Sequence, residues 1–429
     1  MDLEQLIVKL RKLVANQNFV EARNLCFNLS QAYPLNTTIW LMRGDLHLKL
    51  GETDSVIECC QHIIAQLSPM PSPNPMLINV YRVLGTTYFN SGRMRDAIAA
   101  HEQLIAAAPN DAEAHTFMAI CHLLLGDFRR GWSEYEWRLK TKYIAESPTG
   151  KPCWNGGPLD EKTILVNAEQ GHGDTLQFVR YVRDVKARGG TVILGCQPAL
   201  RSLLVGCAGV DRVMSQGEIA PPYDVEITLL SLPGIFQTAL ETIPADVPYL
   251  HVPQGAGAQA VAIIARHTGV LRAGLVWSGG VHNPNDRLRS LKLEQLSNLF
   301  DIAGTKFFSL QKGDPAAELG SISQDLITDL GPYLEDFADT AAAIQELDLV
   351  ISVDTAVAHL AGALAKPVWT LIPFAPDWRW MLDREDSPWY PTMRLFRQPA
   401  PGDWASIITR LAAQLTMLMQ QQSIKTRLG

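Results

Sequence analysis

The sequence predicts an all-helical repeat array followed by two α/β halves built on parallel sheets. Three observations carry this. A 34-residue period runs through the first third. Near residue 160 the pattern changes to alternating strand and helix signals. The stretch 349–372, LVISVDTAVAHLAGALAKPVWTLI, reads as strand, helix and strand with almost no spacer.

The repeats come first in the chain. Ala22, Val56, Ala97 and Gly131 share one column, and Leu6, Trp40, Tyr81 and His115 another. Gly51, Gly92 and Gly126 form a turn column, and Pro34, Pro69 and Pro109 close three of the units. The spacing is 34, 41 and 34 residues, because SPMPSPNP lengthens the second interval. Each unit is a pair of amphipathic helices that cannot bury its apolar face alone, so neighbours must stack. A concave surface for a peptide or protein partner is one use of such an array. Support of the next domain or homo-oligomer formation is the other. Trp132, Tyr135 and Trp137 of the last unit suit an aromatic joint to the next domain, and PTGKPCWNGGPL reads as linker. The expected organisation is repeats over 1–147, a linker over 148–160, a first α/β domain over 161–255 and a second over 256–429.

In the first α/β half, TILVNA is a strand, EQGHGD a Gly-rich loop and TLQFVRYVRDVKARG an amphipathic helix. TVILGCQ, DRVMSQG and YDVEITLLSLPGIF supply further strands. The second half starts with a helix near 257–268 and the strand AGLVWSGG, then KFFSLQKGD, then a helix capped near Asp339. In 349–372 the run Leu349 to Val353 has the β-branching of a buried parallel strand, and Asp354 suits a helix N-cap. The amphipathic stretch from Trp404 to Met419 suits packing back across the halves.

Composition excludes several classes. The 429 residues are 47% apolar and 19% charged with net charge −7, which fits a globular protein and disfavours sequence-wide affinity for nucleic acid. No run approaches the ~18 apolar residues of a spanning helix, and Met-Asp-Leu-Glu lacks the basic start of a secretory signal. Seven cysteines without C-x-x-C spacing indicate reduced thiols, so a cytoplasmic location is expected. There is no H-E-x-x-H, no G-x-S-x-G and no Asp-x-Asp, so no metal is demanded.

Four segments carry candidate chemistry. Gly171-His172-Gly173-Asp174 follows the first strand; its glycines let backbone approach a ligand or acceptor. Leu176 stands where the dinucleotide fingerprint needs a third glycine, and TVILGCQ ends in Gln197 rather than an acid, so NAD is disfavoured. Asp174 suits either a helix cap or a general base facing a cleft. The segment 277–293 places Ser278 after a strand and Arg287, Arg289 and Lys292 shortly beyond, either a solvated basic loop or a phosphate clamp. Thr355, the N–H of Ala356 and His359 lie at a helix N-terminus, which favours an anion; a diphosphate is the expected ligand. Gln311 and Lys312 end a strand where they suit a nucleoside. Trp378 and Arg379, in the aromatic stretch 373–391, suit either ring binding or a packed lid.

With these residues in view, the repeats resemble tetratricopeptide repeats, most clearly through Tyr81, Leu84, Gly85, Tyr88, Ala97 and Pro109. ILVNAEQGHGDTLQFVRY, ISVDTAVAHLAGA, PFAPDWRW and SPWYPTMRLFRQ resemble GT-B glycosyltransferases. The nearest likeness is to the ADP-heptose:lipopolysaccharide heptosyltransferases of family 9; protein O-GlcNAc transferases are more distant. The resemblance implies an α-helical tetratricopeptide-repeat solenoid followed by an α/β GT-B fold of two Rossmann-like domains. It also implies inverting, metal-independent transfer from a nucleotide-diphosphate sugar, used as substrate with no cofactor. The acceptor would be a hydroxyl of a protein or glycan recruited by the repeats. Gly173-Asp174 matches the family's Gly-Asp, whose Asp is the proposed base. Asp354, Thr355 and His359 match its Asp-Ser/Thr-Gly-x-x-His donor motif, with Asp354 expected as the cap and Ala356 replacing the Gly. The family's basic phosphate ligand has no clean counterpart. Two other readings stand beside transfer: a non-catalytic GT-B scaffold, and a sugar-nucleotide epimerase.

Overall fold

The computed structural model describes residues 2–68, 74–141, 150–280 and 286–428, with backbone alone over 422–428. Pro69, most of the SPMPSPNP loop, and residues 148–149 of the expected linker lie outside the described residues. The chain divides into two compact units, Met1–Tyr143 and Ile144–Gly429.

The first unit is four helical hairpins of tetratricopeptide type: α1 Leu3–Ala15 with α2 Phe19–Ala32, α3 Thr37–Leu50 with α4 Thr53–Leu67, α5 Pro75–Asn90 with α6 Met94–Ala107, and α7 Ala112–Leu124 with α8 Phe128–Tyr135. Asp2, Asn36, Asn74 and Asp111 cap the leading helix of each hairpin by accepting a first-turn N–H. Gly51, Gly92 and Gly126 turn the later hairpins at φ 72°, 78° and 80°, left-handed values that a side chain resists. The column Ala22, Val56 and Ala97 is fully buried. The aromatic column keeps one geometry while its ring types exchange. Trp40 donates to the Pro34 carbonyl at 2.9 Å and stacks on His62. His115 bonds the Pro109 carbonyl at 3.0 Å and stacks on Trp137. The ring contacts described for Trp132, Tyr135 and Trp137 are with Phe128, with each other and with His115, all within the repeats.

The second unit holds two parallel sheets. In chain order the first half is β1 Thr163–Asn167, α9 His172–Phe178, α10 Val182–Lys186, β2 Thr191–Cys196, α11 Arg201–Leu204, β3 Arg212–Ser215, β4 Val225–Thr228 and α12 Leu232–Ile235. The helix expected over TLQFVRYVRDVKARG is thus broken, by a 3-10 turn at Val179–Tyr181. The second half is α13 Ala258–Ala265, β5 Leu271–Val276, α14 Asp286–Arg289, α15 Ser297–Phe300, β6 Thr305–Ser309, β7 Ile327–Asp329, α16 Phe337–Glu346, β8 Leu349–Val353, α17 Ala356–Ala363, β9 Val368–Ile372, β10 Met393–Arg397 and α18 Trp404–Leu428. Strand order is β3-β2-β1-β4 in one sheet and β10-β9-β8-β5-β6-β7 in the other. The order therefore reverses between β1 and β4, and again between β5 and β8. Ligands of open α/β sheets bind outside the carboxyl ends of strands at such switch points.

Three sequence expectations are corrected here. Part of the expected linker is ordered against the first sheet: Cys153 bridges Glu226 of β4, the Trp154 N–H donates to the Glu226 carbonyl at 2.8 Å, and Trp154 and Leu159 are buried. The cap of α16 is Asp336, which accepts from Ala338 and Asp339; Asp339 instead takes the Gly257 N–H at 2.7 Å. Helix α18 does not straddle the halves through its apolar face: Trp404, Ile407, Ile408, Leu411 and Leu415 join the core formed by β5, β6, β8 and β9. No disulfide joins any of the seven cysteines, and burial pushes the thiols of Cys26 and Cys60 up to about 12.

Candidate active site

The two switch points meet. The loop after β1 leads into α9, and the loop after β8 leads into α17. Their contact is tight at one residue. A methyl group on Gly173 would lie 2.9 Å from His359 Cδ2 and 3.5 Å from the Ala356 Cα. The glycine next to Asp174 is therefore a packing requirement: it lets the Asp174 loop rest on the first turn of α17. Nearby, His172 packs against Phe337 of α16, and Ser202 Oγ bonds Asp336.

Asp174 occupies the third position of α9. Its Oδ2 accepts the Gly171 N–H at 2.8 Å, so the helix-cap role is real. Its Oδ1 accepts from Nη2 of Arg379, a residue of the other half. Burial raises the Asp174 pKa above the usual carboxylate value, against the pull of Arg379. Arg379 is itself 6% exposed, with Nε on Gln177 Oε1 at 2.6 Å and Nη1 on Asp377 at 2.8 Å.

At α17 the cap is Thr355, not Asp354. The Thr355 hydroxyl pairs with Ser352 at 3.0 Å and makes no cap bond. Thr355 and Ala356 are partly exposed, and no carbonyl among the described residues accepts the N–H of Ala356. The Asp354 carboxylate turns instead toward His359, with Oδ1 4.0 Å from Nε2. Burial and the neighbouring Asp377 push Asp354 up to about 6, opposed by Arg289 and Arg379. His359 is 5% exposed, stacked on Trp380, and bonded through Nδ1 to the Tyr390 hydroxyl at 2.9 Å. Burial and the charges of Arg379, Arg180 and Arg289 hold it well below the usual imidazole range, hence neutral.

The basic segment resolves to one residue. Arg289 lies over Gly279, pairs with Asp286 at 3.4 Å, and is the member whose charge reaches Asp354 and His359. Arg287 and Lys292 are exposed. Ser278 is buried and bonds Ser290 at 3.2 Å. Residues 281–285 of this segment lie outside the described residues.

Two expectations about the nucleoside are corrected. Gln311 faces backbone, not a ring: its Oε1 accepts from Trp277 and Ser278, and its Nε2 donates to the carbonyls of Ser278 and Lys312. Lys312 likewise spends Nζ on the carbonyls of Gly331 and Leu334. Trp378 is 2% exposed and packed between Phe178 and Trp389, so it is core.

Sequence reading missed the residues beneath the junction. Arg180 is 4% exposed, with Nε on the Gln177 carbonyl, Nη1 on the carbonyls of Pro244 and Trp389, and Nη2 on the Tyr249 hydroxyl. Its guanidinium also sits 4.7 Å from the Tyr390 ring centroid. Arg397 bonds three carbonyls in the same way, those of Trp380, Met381 and Arg384. The signal for Arg180 was present: a lone cation inside the apolar run LQFVRYV is buried only when paired.

Two parallel-sheet lobes thus meet at their switch points, with a carboxylate on one side and a helix N-terminus on the other, in a GT-B-like α/β unit that follows a tetratricopeptide-type repeat array in the chain. Residues 306–377 match glycosyltransferase family 9 (heptosyltransferase). Protein FlbA of Caulobacter vibrioides is 24% identical over 406 residues, spanning 80% of this chain and 67% of that protein. Among solved structures, the E. coli ADP-heptose LPS heptosyltransferase II is similar at TM-score 0.45 and 14% identity, over 61% of this chain and 99% of that one. A family 9 glycosyl transferase from Veillonella parvula gives 0.45 and 12%, over 62% and 100%. The crystal structure of MamA gives 0.28 and 20%, over 33% and 75%.

Proposed function

We propose that this protein moves a sugar from a nucleotide-diphosphate donor to a hydroxyl of a protein or glycan acceptor, with inversion and without a metal. The repeats would recruit the acceptor or a partner, and the reduced thiols suit a reducing cytoplasm. The observation that carries this reading is the Gly173 contact, which brings Asp174 and the first turn of α17 into one site.

In the proposed step the acceptor hydroxyl gives its proton to Asp174 as its oxygen bonds the anomeric carbon. The bond from that carbon to the diphosphate breaks, and its electron pair stays on the leaving oxygen. Asp174 is suited to this by its raised proton affinity and by its place beside the first turn of α17. The leaving charge would meet the Thr355 hydroxyl, the Ala356 N–H, His359 Nε2 and the guanidinium of Arg289, fixed donors at a helix N-terminus.

The test is thermal stabilisation by UDP, GDP, ADP and their sugars, followed by transfer assays with the stabilising donor. Asp174→Asn should abolish transfer while nucleotide affinity stays near wild type; wild-type turnover in that variant removes Asp174 as base. A second reading, a non-catalytic scaffold, is favoured by the engagement of both Asp174 oxygens. Failure of every nucleotide to stabilise the protein would support it.

A further inference from the structure

We propose that Arg379 is a positioning residue for Asp174, reaching from the second half to fix the direction of the carboxylate that takes the acceptor's proton. Its part in transfer rests on the reading of Asp174 as base above; the fixing of the carboxylate does not.

Arg379 lies on the 3-10 turn Trp378–Trp380 that follows β9. Asp174 and Gln177 stand one turn apart on α9 and share a face. The guanidinium grips both, with Nη2 on Asp174 Oδ1 and Nε on Gln177 Oε1 at 2.6 Å. Nη1 turns back to Asp377 Oδ1 at 2.8 Å, and the same oxygen accepts the Arg379 N–H at 3.0 Å. Asp377 therefore ties down the backbone and the side chain of Arg379 together. The guanidinium carbon also lies 4.4 Å from the Trp378 ring centroid. A guanidinium is planar, so acceptors on all its nitrogens define its orientation, and with it the direction of Nη2.

The carboxylate is held on both oxygens. Oδ2 takes the Gly171 N–H at 2.8 Å from its own loop, and Oδ1 takes Nη2 from the other half. Turning the carboxyl about its Cβ–Cγ bond breaks both. A lysine would not reproduce this, because an ammonium has no planar fork with which to engage Gln177, Asp377 and Asp174 at once. The charge of Arg379 acts separately from its geometry. It favours the ionised form of Asp174 against burial and the repulsion of Asp377. His172 on α9 and His359 on α17 are both held below the usual imidazole range by burial and bring no charge at neutral pH. Asp354 lies 4.0 Å from the far nitrogen of His359.

Two substitutions separate geometry from charge: Arg379→Lys keeps the charge and loses the fork, and Arg379→Gln loses both. The wild-type full-length protein labelled with 15N-arginine gives the first readout, with Arg379 assigned by the signals lost in Arg379→Lys. Fixed acceptors on all its nitrogens stop the guanidinium from rotating, so Nη1 and Nη2 should give separate signals; one averaged signal overturns the proposal without a variant. Carboxyl NMR of 13C-aspartate protein then titrates Asp174, assigned by the signal lost in Asp174→Asn. Its midpoint should rise by about 1–3 pH units in Arg379→Gln and stay near wild type in Arg379→Lys. In transfer assays Arg379→Lys should lower kcat by about 10–100-fold and leave the donor KM unchanged. Arg379→Gln should also move the acid limb of the pH–rate profile to higher pH. An unmoved midpoint in Arg379→Gln overturns the proposal, as does wild-type kcat in Arg379→Lys. A gain of transfer in either variant overturns it too, by marking the contact as inhibitory. If both NMR readouts come out as expected and no nucleotide sugar supports transfer by the wild type, Arg379 still fixes the carboxylate and the reading of Asp174 as base fails.

Discussion

Arg379 of the second α/β half donates from Nη2 to Oδ1 of Asp174 in the first, and both side chains are largely withdrawn from solvent. Removing one member of a buried pair leaves the other charge uncompensated, at a cost of about 3–5 kcal/mol. Arg379→Met should therefore destabilise the protein strongly in urea unfolding. Arg379→Met combined with Asp174→Asn should recover part of the loss. Additive costs in that double-mutant cycle would mean that the two residues do not act as a pair.

Gly173 separates two helix starts by less than a methyl group allows. Gly173→Ala should force α9 and α17 apart, costing about 1–3 kcal/mol. Nucleotide affinity should fall with it. Stability and affinity at wild-type levels would show that the contact is not needed.

Asp354 gives a pH dependence of defined sign. Its pKa is raised from 3.8 to about 6, so the folded protein retains a proton that the unfolded chain releases between those values. Its contribution is greatest below pH 4 and falls as pH rises through 6. Asp354→Asn should remove that fall. The stability of the variant relative to wild type should rise by up to about 3 kcal/mol between pH 4 and 7. Urea titrations at a series of pH values measure it, and a pH-independent difference would show an ordinary pKa.

Two repeat glycines should respond differently. Gly51 has φ +72° and open space where a Cβ would point, so Gly51→Ala should cost only about 1 kcal/mol in backbone strain. At Gly85 the same change meets the buried His101 ring at 2.7 Å and should cost about 1–3 kcal/mol from overpacking. Thermal melts of both variants compare them; equal losses would refute the distinction.

The repeat array was legible because its turns are fixed by a residue type that alone tolerates their backbone conformation. Gly51, Gly92 and Gly126 read as turns for the reason they are turns. The two halves were legible from β-branched strands followed by Gly or capping residues. The site was legible in outline only. Asp354 is a good cap by residue type, yet the Thr355 backbone takes the cap position and frees the carboxylate to face His359. Gln311 and Trp378 belong to residue types that bind bases, and pattern alone does not separate a ring facing a ligand from one facing the core. Arg180 went unread because its partners Pro244, Tyr249 and Trp389 lie 64 to 209 positions away in the chain.

The carbonyl bonds of Arg180 and Arg397 have a consequence for how this protein can diversify. Every residue has a carbonyl, and a carbonyl neither titrates nor is displaced by dissolved ions. A seam built on them holds in acid and in brine, and it imposes little on side-chain identity at Pro244, Met381 or Arg384. Side chains at those positions can therefore change without loosening the backbone contacts that the two guanidinium groups make.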